Sequence, residues 1–290
     1  MWNVECGVNS ILKAMSNLDE SSSIKSNFLN TDNMPVLFLG HGSPMNAIED
    51  NQFAEGFRTI AKTLPRPNAI LCISAHWFTI GTKVTAMENP PTIHDFYGFP
   101  KELFEVQYPA KGSPELAKEI KKLLYITTVA LDKNWGLDHG TWSVIKHLYP
   151  KADIPVIQLS IDSTKPASYH YDLAQQLIPL RKKGILIIGS GNIVHNLGLV
   201  NYQNFDKDDY GYDWAIEAKE KINQWLMEGN FQSIINYDKQ IKSIQLAIPT
   251  PEHYLPLIYA LGLKEKSETI TLFNDKLVAG SLSMTSLKIL

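Results

Sequence analysis

Ala69-Ile70-Leu71-Cys72-Ile73-Ser74-Ala75-His76-Trp77 sets the fold: five consecutive apolar residues with no polar alternation, ending in a histidine. A run this apolar on both faces is expected of a strand in a parallel sheet covered by helices on each side. Residues 35–39 repeat the pattern, with Val36-Leu37-Phe38-Leu39 running into Gly40-His41-Gly42-Ser43-Pro44. Residues 154–160 and 185–188 supply two more such strands, and the second leads into Gly189-Ser190-Gly191-Asn192. Stretches with helical spacing fall between or after them, at 52–62, 114–124, 142–149, 169–181 and 214–228. The alternation predicts one α/β layered domain over 34–290, a largely parallel or mixed central sheet with helices on both faces. Residues 82–104 fit a βα unit poorly and read as an excursion of loops over a pocket.

The first 33 residues differ in kind, with Ser21-Ser22-Ser23, many Asn and Asp, and a faint helical spacing of Val4, Val8, Ile11 and Met15. They read as an N-terminal extension, partly flexible. The 290 residues are 44% hydrophobic, enough for a substantial core. Lys and Arg number 27 against 30 Asp and Glu, a net charge of -3. That balance gives no broad basic field for nucleic acid or anionic lipid, and a small neutral or zwitterionic ligand fits better. Cys6 and Cys72 are too few for a disulfide framework or a thiolate metal site. No run approaches the roughly 18 apolar residues of a membrane span, and residues 1–14 lack the pattern of a secretory leader. The expected setting is the cytoplasm.

In open α/β sheets, ligands bind beyond the carboxyl ends of the parallel strands. His41 and His76 each follow a predicted strand directly, and His195 follows a third within one turn of the presumed next helix. Three strand ends thus bring histidines to one edge. A site of histidine and oxygen donors without thiolates suits zinc, iron, copper or nickel. A fourth histidine comes from Thr250-Pro251-Glu252-His253-Tyr254. Thr250 reads as an N-cap and Pro251 as the first helical residue. This places Glu252 and His253 in a first turn, where the helix dipole favours a neutral imidazole. Consecutive helical residues point about 100° apart, so one of the two is a ligand candidate and the other its support. His139, ahead of the helix at 142–149, is either a cap-region residue or a proton donor and acceptor. His94, in an aromatic loop with Phe96 and Tyr97, is a candidate to cover a flat substrate. His147 and His170 read as structural. Gly189-Ser190-Gly191-Asn192 lacks the remaining positions of a phosphate loop or dinucleotide fingerprint, and neither Ser190 nor Ser43 lies in a hydrolase elbow.

With these residues in view, the chain resembles the class III extradiol dioxygenase superfamily, and within it the 4,5-DOPA extradiol dioxygenase-like group. The resemblance rests on Leu39-Gly40-His41-Gly42-Ser43-Pro44-Met45, Ser74-Ala75-His76-Trp77, His94-Asp95-Phe96-Tyr97-Gly98-Phe99-Pro100, Leu137-Asp138-His139-Gly140-Thr141-Trp142, Gly189-Ser190-Gly191-Asn192-Ile193-Val194-His195-Asn196-Leu197 and Thr250-Pro251-Glu252-His253-Tyr254-Leu255-Pro256. It covers the chain from about residue 34 to its end. It implies one divalent metal held by His41 and His76, with His253 completing the set and His195 either a further ligand or the acid/base beside the metal. The wider superfamily has a glutamate as third ligand, so Glu252 stands as the alternative to His253. The implied metal is zinc on isolation, or Fe(II) as the redox-active ion, since zinc has no accessible redox step. The implied reaction opens a DOPA-like catechol with dioxygen to a muconate semialdehyde, His139 acting as proton donor and Phe96, Tyr97 and Trp77 lining the walls. The implied partners are a catechol and dioxygen, for a monomer or small homo-oligomer. Two rival readings are a zinc hydrolase or metal chelatase, and a non-enzymatic metal-binding protein on the same fold.

Overall fold

The computed structural model describes residues 33–205 and 207–290, so the extension read at 1–33 lies, but for its last residue, outside the described residues. Among the described residues the strands are β1 (Val36–Gly40), β2 (Ala69–Thr79), β3 (Thr82–Thr85), β4 (Val129–Asp132), β5 (Val156–Asp162), β6 (Ile185–Gly191), β7 (Ile270–Phe273), β8 (Leu277–Val278), β9 (Leu282–Ser283) and β10 (Ser286–Ile289). The helices are α1 (Gln52–Ala61), α2 (Lys101–Phe104), α3 (Pro114–Leu123), α4 (His139–Leu148), α5 (Ala167–Gln175), α6 (Ile178–Arg181), α7 (Asp213–Glu228), α8 (Phe231–Ile235), α9 (Lys242–Ala247) and α10 (Leu255–Gly262).

Eight strands form one sheet in the order β4-β3-β5-β2-β6-β1-β10-β7. Its centre, β5-β2-β6-β1, is parallel throughout, as the apolar runs require. On one flank β3 turns antiparallel to β5, and on the other β10 runs antiparallel to β1 and β7 to β10. The sheet is therefore mixed. Alternate residues of the central strands feed two cores. Val36, Phe38, Leu71 and Ile73 face α5, α7 and α10, while Leu37, Leu39, Ile70 and Cys72 face α1 and α4.

Local chemistry explains where several elements begin and end. Asn51 caps α1 by accepting from the Phe53 and Ala54 N–H groups, and Ser113 caps α3, which has Pro114 at its start. The stretch expected as one helix over 169–181 is two, α5 and α6. Pro179 lacks an N–H and its ring would clash with the carbonyl of Gln175, where α5 stops. The stretch 82–104 also departs from expectation at both ends. Thr82–Thr85 is a sheet strand and Lys101–Phe104 a helical turn, and only the segment between them is irregular.

Candidate metal centre

His41 leaves the end of β1, and its backbone N–H donates to the Gly191 carbonyl at the end of β6. His76 lies inside β2, at the point where the ladder to β5 slips between Ile73 and Phe78. Such an irregularity re-aims a side chain that regular pleating would send elsewhere. His253 comes from the turn ahead of α10, whose backbone closes on β6: the Asn192 N–H donates to the His253 carbonyl. A Cβ at Gly191 would lie 2.1 Å from that same oxygen, so the glycine serves close packing of the 253–256 segment on β6. His195 follows β6 in a bridge with Leu282, not on a helix as expected.

The geometry joins these residues. Ligand atoms of His41, His76 and His253 lie within 4.8 Å of one another. The Nε2 atoms of His41 and His76 are 3.2 Å apart. In each ring Nδ1 faces an oxygen: Ser190 Oγ at 3.0 Å from His41, Asp95 Oδ2 at 3.5 Å from His76, and Glu252 Oε1 at 3.4 Å from His253. An oxygen partner on Nδ1 draws the proton there and leaves Nε2 bare, the arrangement common to imidazole metal ligands. With Nδ1 of both rings protonated, the two Nε2 lone pairs, 3.2 Å apart, would repel each other unless a cation lay between them. The donor set fits a divalent metal.

Burial disfavours the charged form of four of these rings. It lowers His76 to about 3 and His195 to about 4, and pushes His41 and His253 well below the ordinary value. For Asp95 burial acts upward, but its contacts with His139 and His76 outweigh that and hold it below the ordinary carboxylate range. This carboxylate was not singled out in the sequence; only its place in a loop read as covering a pocket hinted at it. Its Oδ1 accepts the backbone N–H of His139 at 2.8 Å and lies 3.0 Å from the ring Nδ1. His139 is the first residue of α4, three positions earlier than expected, because Asp138 is the cap. Buried Asp138 accepts from Thr141 N–H, Ser74 Oγ and Gln158 Nε2, which fixes the helix start under the site.

A cavity of about 450 Å³ opens over the histidines. His41, His76, His139, His195 and His253 line it, with Phe96, Tyr97 and Phe99 on one wall. Leu197, Val200, Tyr202 and Phe205, from the loop after His195, form another wall that the sequence did not announce. Two expected wall residues are corrected. Trp77 is 3% exposed and stacks on Trp135 outside this cavity, because the β2 irregularity turns His76 inward and its neighbour away. His94 also stands outside it, behind Phe96, with Nε2 engaged at 2.9 Å by the Val106 carbonyl. The capping read at Thr250 is corrected as well. Thr250 Oγ1 donates to Glu252 Oε1, and the helix starts only at Leu255. Pro256 would clash with the carbonyl of residue 252 in any helix continuous from Pro251. His147 and His170 are occupied structurally, by the Asn46 carbonyl and the Tyr259 hydroxyl.

A layered α/β sheet with five histidines and a carboxylate lining one cavity at its edge has the donors of a metal-dependent enzyme of small-molecule chemistry. A family model described as the catalytic LigB subunit of aromatic ring-opening dioxygenase matches residues 35–282. The chain therefore belongs to the LigB family and is a metal-dependent, extradiol aromatic ring-opening dioxygenase. It is 47% identical over 270 residues to a 4,5-DOPA dioxygenase extradiol of Escherichia coli K12, covering 92% of this chain and 98% of that one. A 4,5-DOPA dioxygenase extradiol of Beta vulgaris is 38% identical over 260 residues, covering 87% and 95% respectively. Among solved structures, that of an uncharacterized protein from Escherichia coli K12 superposes with a TM-score of 0.76 at 45% identity, covering 88% of this chain and 99% of its own. No helix among the described residues is long and apolar enough to cross a membrane.

Proposed function

We propose that the enzyme opens the ring of a DOPA-like catechol with dioxygen to give a muconate semialdehyde, at one divalent ion held by His41, His76 and His253. The observation that carries the ligand set is the meeting of the three rings, whose ligand atoms lie within 4.8 Å of one another, each with Nδ1 turned to an oxygen. Glu252, the alternative ligand, is engaged with Thr250 Oγ1 and faces His253 Nδ1, the position of a support. When bound, a divalent ion would acidify the catechol hydroxyls, and Fe(II) would add the redox step that dioxygen requires and zinc lacks.

The remaining chemistry belongs to the protein. His195, kept neutral by burial, takes a hydroxyl proton at a ring nitrogen. His139, its Nδ1 held beside Asp95, keeps Nε2 for exchanging a proton with the reacting atoms. Phe96 and Phe99 present flat apolar surface to an aromatic ring, and Tyr97, 92% exposed, stands at the rim. The names of the relatives support DOPA as the first catechol to try.

The test is oxygen uptake by protein reconstituted anaerobically with Fe(II), given DOPA. One dioxygen consumed per DOPA, with a semialdehyde chromophore appearing at the same rate, is the expected result. Absence of uptake with DOPA, dopamine and catechol alike would remove the reading.

A further inference from the structure

Ser190, near the carboxyl end of β6, is completely buried and pairs in register with Leu39 of β1 on one side and Ser74 of β2 on the other. Its Oγ lies 2.5 Å from the Gly140 carbonyl oxygen and 3.0 Å from His41 Nδ1. A hydroxyl has one proton and a carbonyl has none. The 2.5 Å contact is therefore Ser190 Oγ–H donating to Gly140. No proton remains for His41, so the 3.0 Å contact is a hydrogen bond only if His41 Nδ1–H donates to the Ser190 oxygen. That choice leaves His41 Nε2 with a bare lone pair, facing His76 Nε2. The opposite tautomer would set two lone pairs against each other at Ser190 and place a proton on the atom that must bind the ion. Neither group has room to turn away: His41 is 2% exposed, and the strand register fixes the Ser190 backbone.

We infer that Ser190 is a positioning residue that sets the tautomer of His41, through its hydrogen bond to the Gly140 carbonyl, and thereby prepares Nε2 of His41 to hold the divalent ion. The inference rests on His41 being a ligand. It also ties the end of β1 to the first turn of α4, so that a ligand and the His139 segment share one proton array.

Two measurements test it. In metal-free protein, long-range proton–nitrogen spectra of the imidazoles should show His41 protonated on Nδ1, and in Ser190→Ala a mixture of tautomers. Zinc affinity, measured by chelator competition, should fall about tenfold or more in Ser190→Ala, the scale of lost ligand support. A tenfold loss in the wild-type background should vanish when His41 is already alanine, because Ser190 acts only through that ring. Wild-type protein with the His41 proton on Nε2, unchanged affinity in Ser190→Ala, or an equal loss in both backgrounds would each overturn the inference. Zinc binding that survives His41→Ala unweakened would instead overturn the ligand assignment beneath it. Should Ser190→Ala not fold, the wild-type spectrum decides alone, and a His41 proton found on Nε2 overturns the inference.

Discussion

The imidazoles of His195 and His253 stack face to face, with centroids 3.5 Å apart and planes within 8° of parallel. His253 belongs to the compact donor set with His41 and His76, whereas His195 groups only with Glu252 and His253. The stack sets the His195 imidazole against His253, outside the compact group of three. On the ligand set proposed above, His195 stands beside the three ligands as the acid/base rather than among them.

Replacing His195 by alanine should therefore spare the metal and damage turnover. We expect kcat to fall by about 10²–10⁴, the usual worth of a positioned acid or base, with zinc affinity within about threefold of wild type. Ring-cleavage rates and chelator competition on the same preparations check this. A loss of affinity as large as that of His41→Ala would make His195 a ligand.

Asp95 faces two histidines at once, His76 through Oδ2 and His139 through Oδ1. An asparagine in its place keeps the shape but offers one acceptor oxygen instead of two, and turns an N–H toward the other ring. Asp95→Asn should weaken metal binding about tenfold and lower kcat in the fully loaded enzyme as well. Metal titration followed by turnover at saturating Fe(II) separates the two losses, and an effect on neither would deny Asp95 its place between the rings.

Gly140 is packed so closely that an added Cβ would lie 2.5 Å from Ser74 Oγ and 2.7 Å from His76 Cδ2. The His76 ring would have to give way. Gly140→Ala should cost about 1–3 kcal/mol of stability, as overpacking does, and weaken the metal site. Gly198→Ala is the control, since its Cβ would meet its nearest neighbour, Asn196 Oδ1, at 3.4 Å. Thermal unfolding of both variants with and without zinc measures the difference.

The sheet centre and the histidine ligand candidates were legible because both come from short-range pattern. An apolar run on both faces means a covered parallel strand, and the residues just beyond its carboxyl end lie at the binding edge. Trp77 and His94 were misplaced for a reason that local sequence does not carry. The β2 irregularity and the fold-back of the 94–99 loop are tertiary events that decide which neighbour faces the cavity. Asp95 escaped notice on the same ground, being one polar residue beside the more conspicuous His94. The flanking strands β7 and β10 are four residues each, and they take their conformation from pairing with the sheet rather than from their own pattern.

Buried histidines also make the metal-free fold sensitive to acid. Burial lowers His170, remote from the site against Tyr259, to about 4, as it lowers His195 to about 4 and His76 to about 3. In the unfolded chain each returns to about 6.5. Between about pH 6.5 and 4 the unfolded state binds protons that the folded state refuses, so stability rises with pH through that window and is complete above it. Each such histidine contributes a slope of about 1.4 kcal/mol per pH unit. Urea midpoints of metal-free protein should fall steadily from about pH 7 to pH 5, and His170→Gln should remove about one proton from that slope. A saturating divalent ion should raise the midpoint at neutral pH and lose its effect on acidification, because an imidazole that has taken a proton on Nε2 cannot ligate. Midpoints that stay flat in the metal-free protein would mean that these rings are solvated and able to charge in the folded state, which their burial in this packing contradicts.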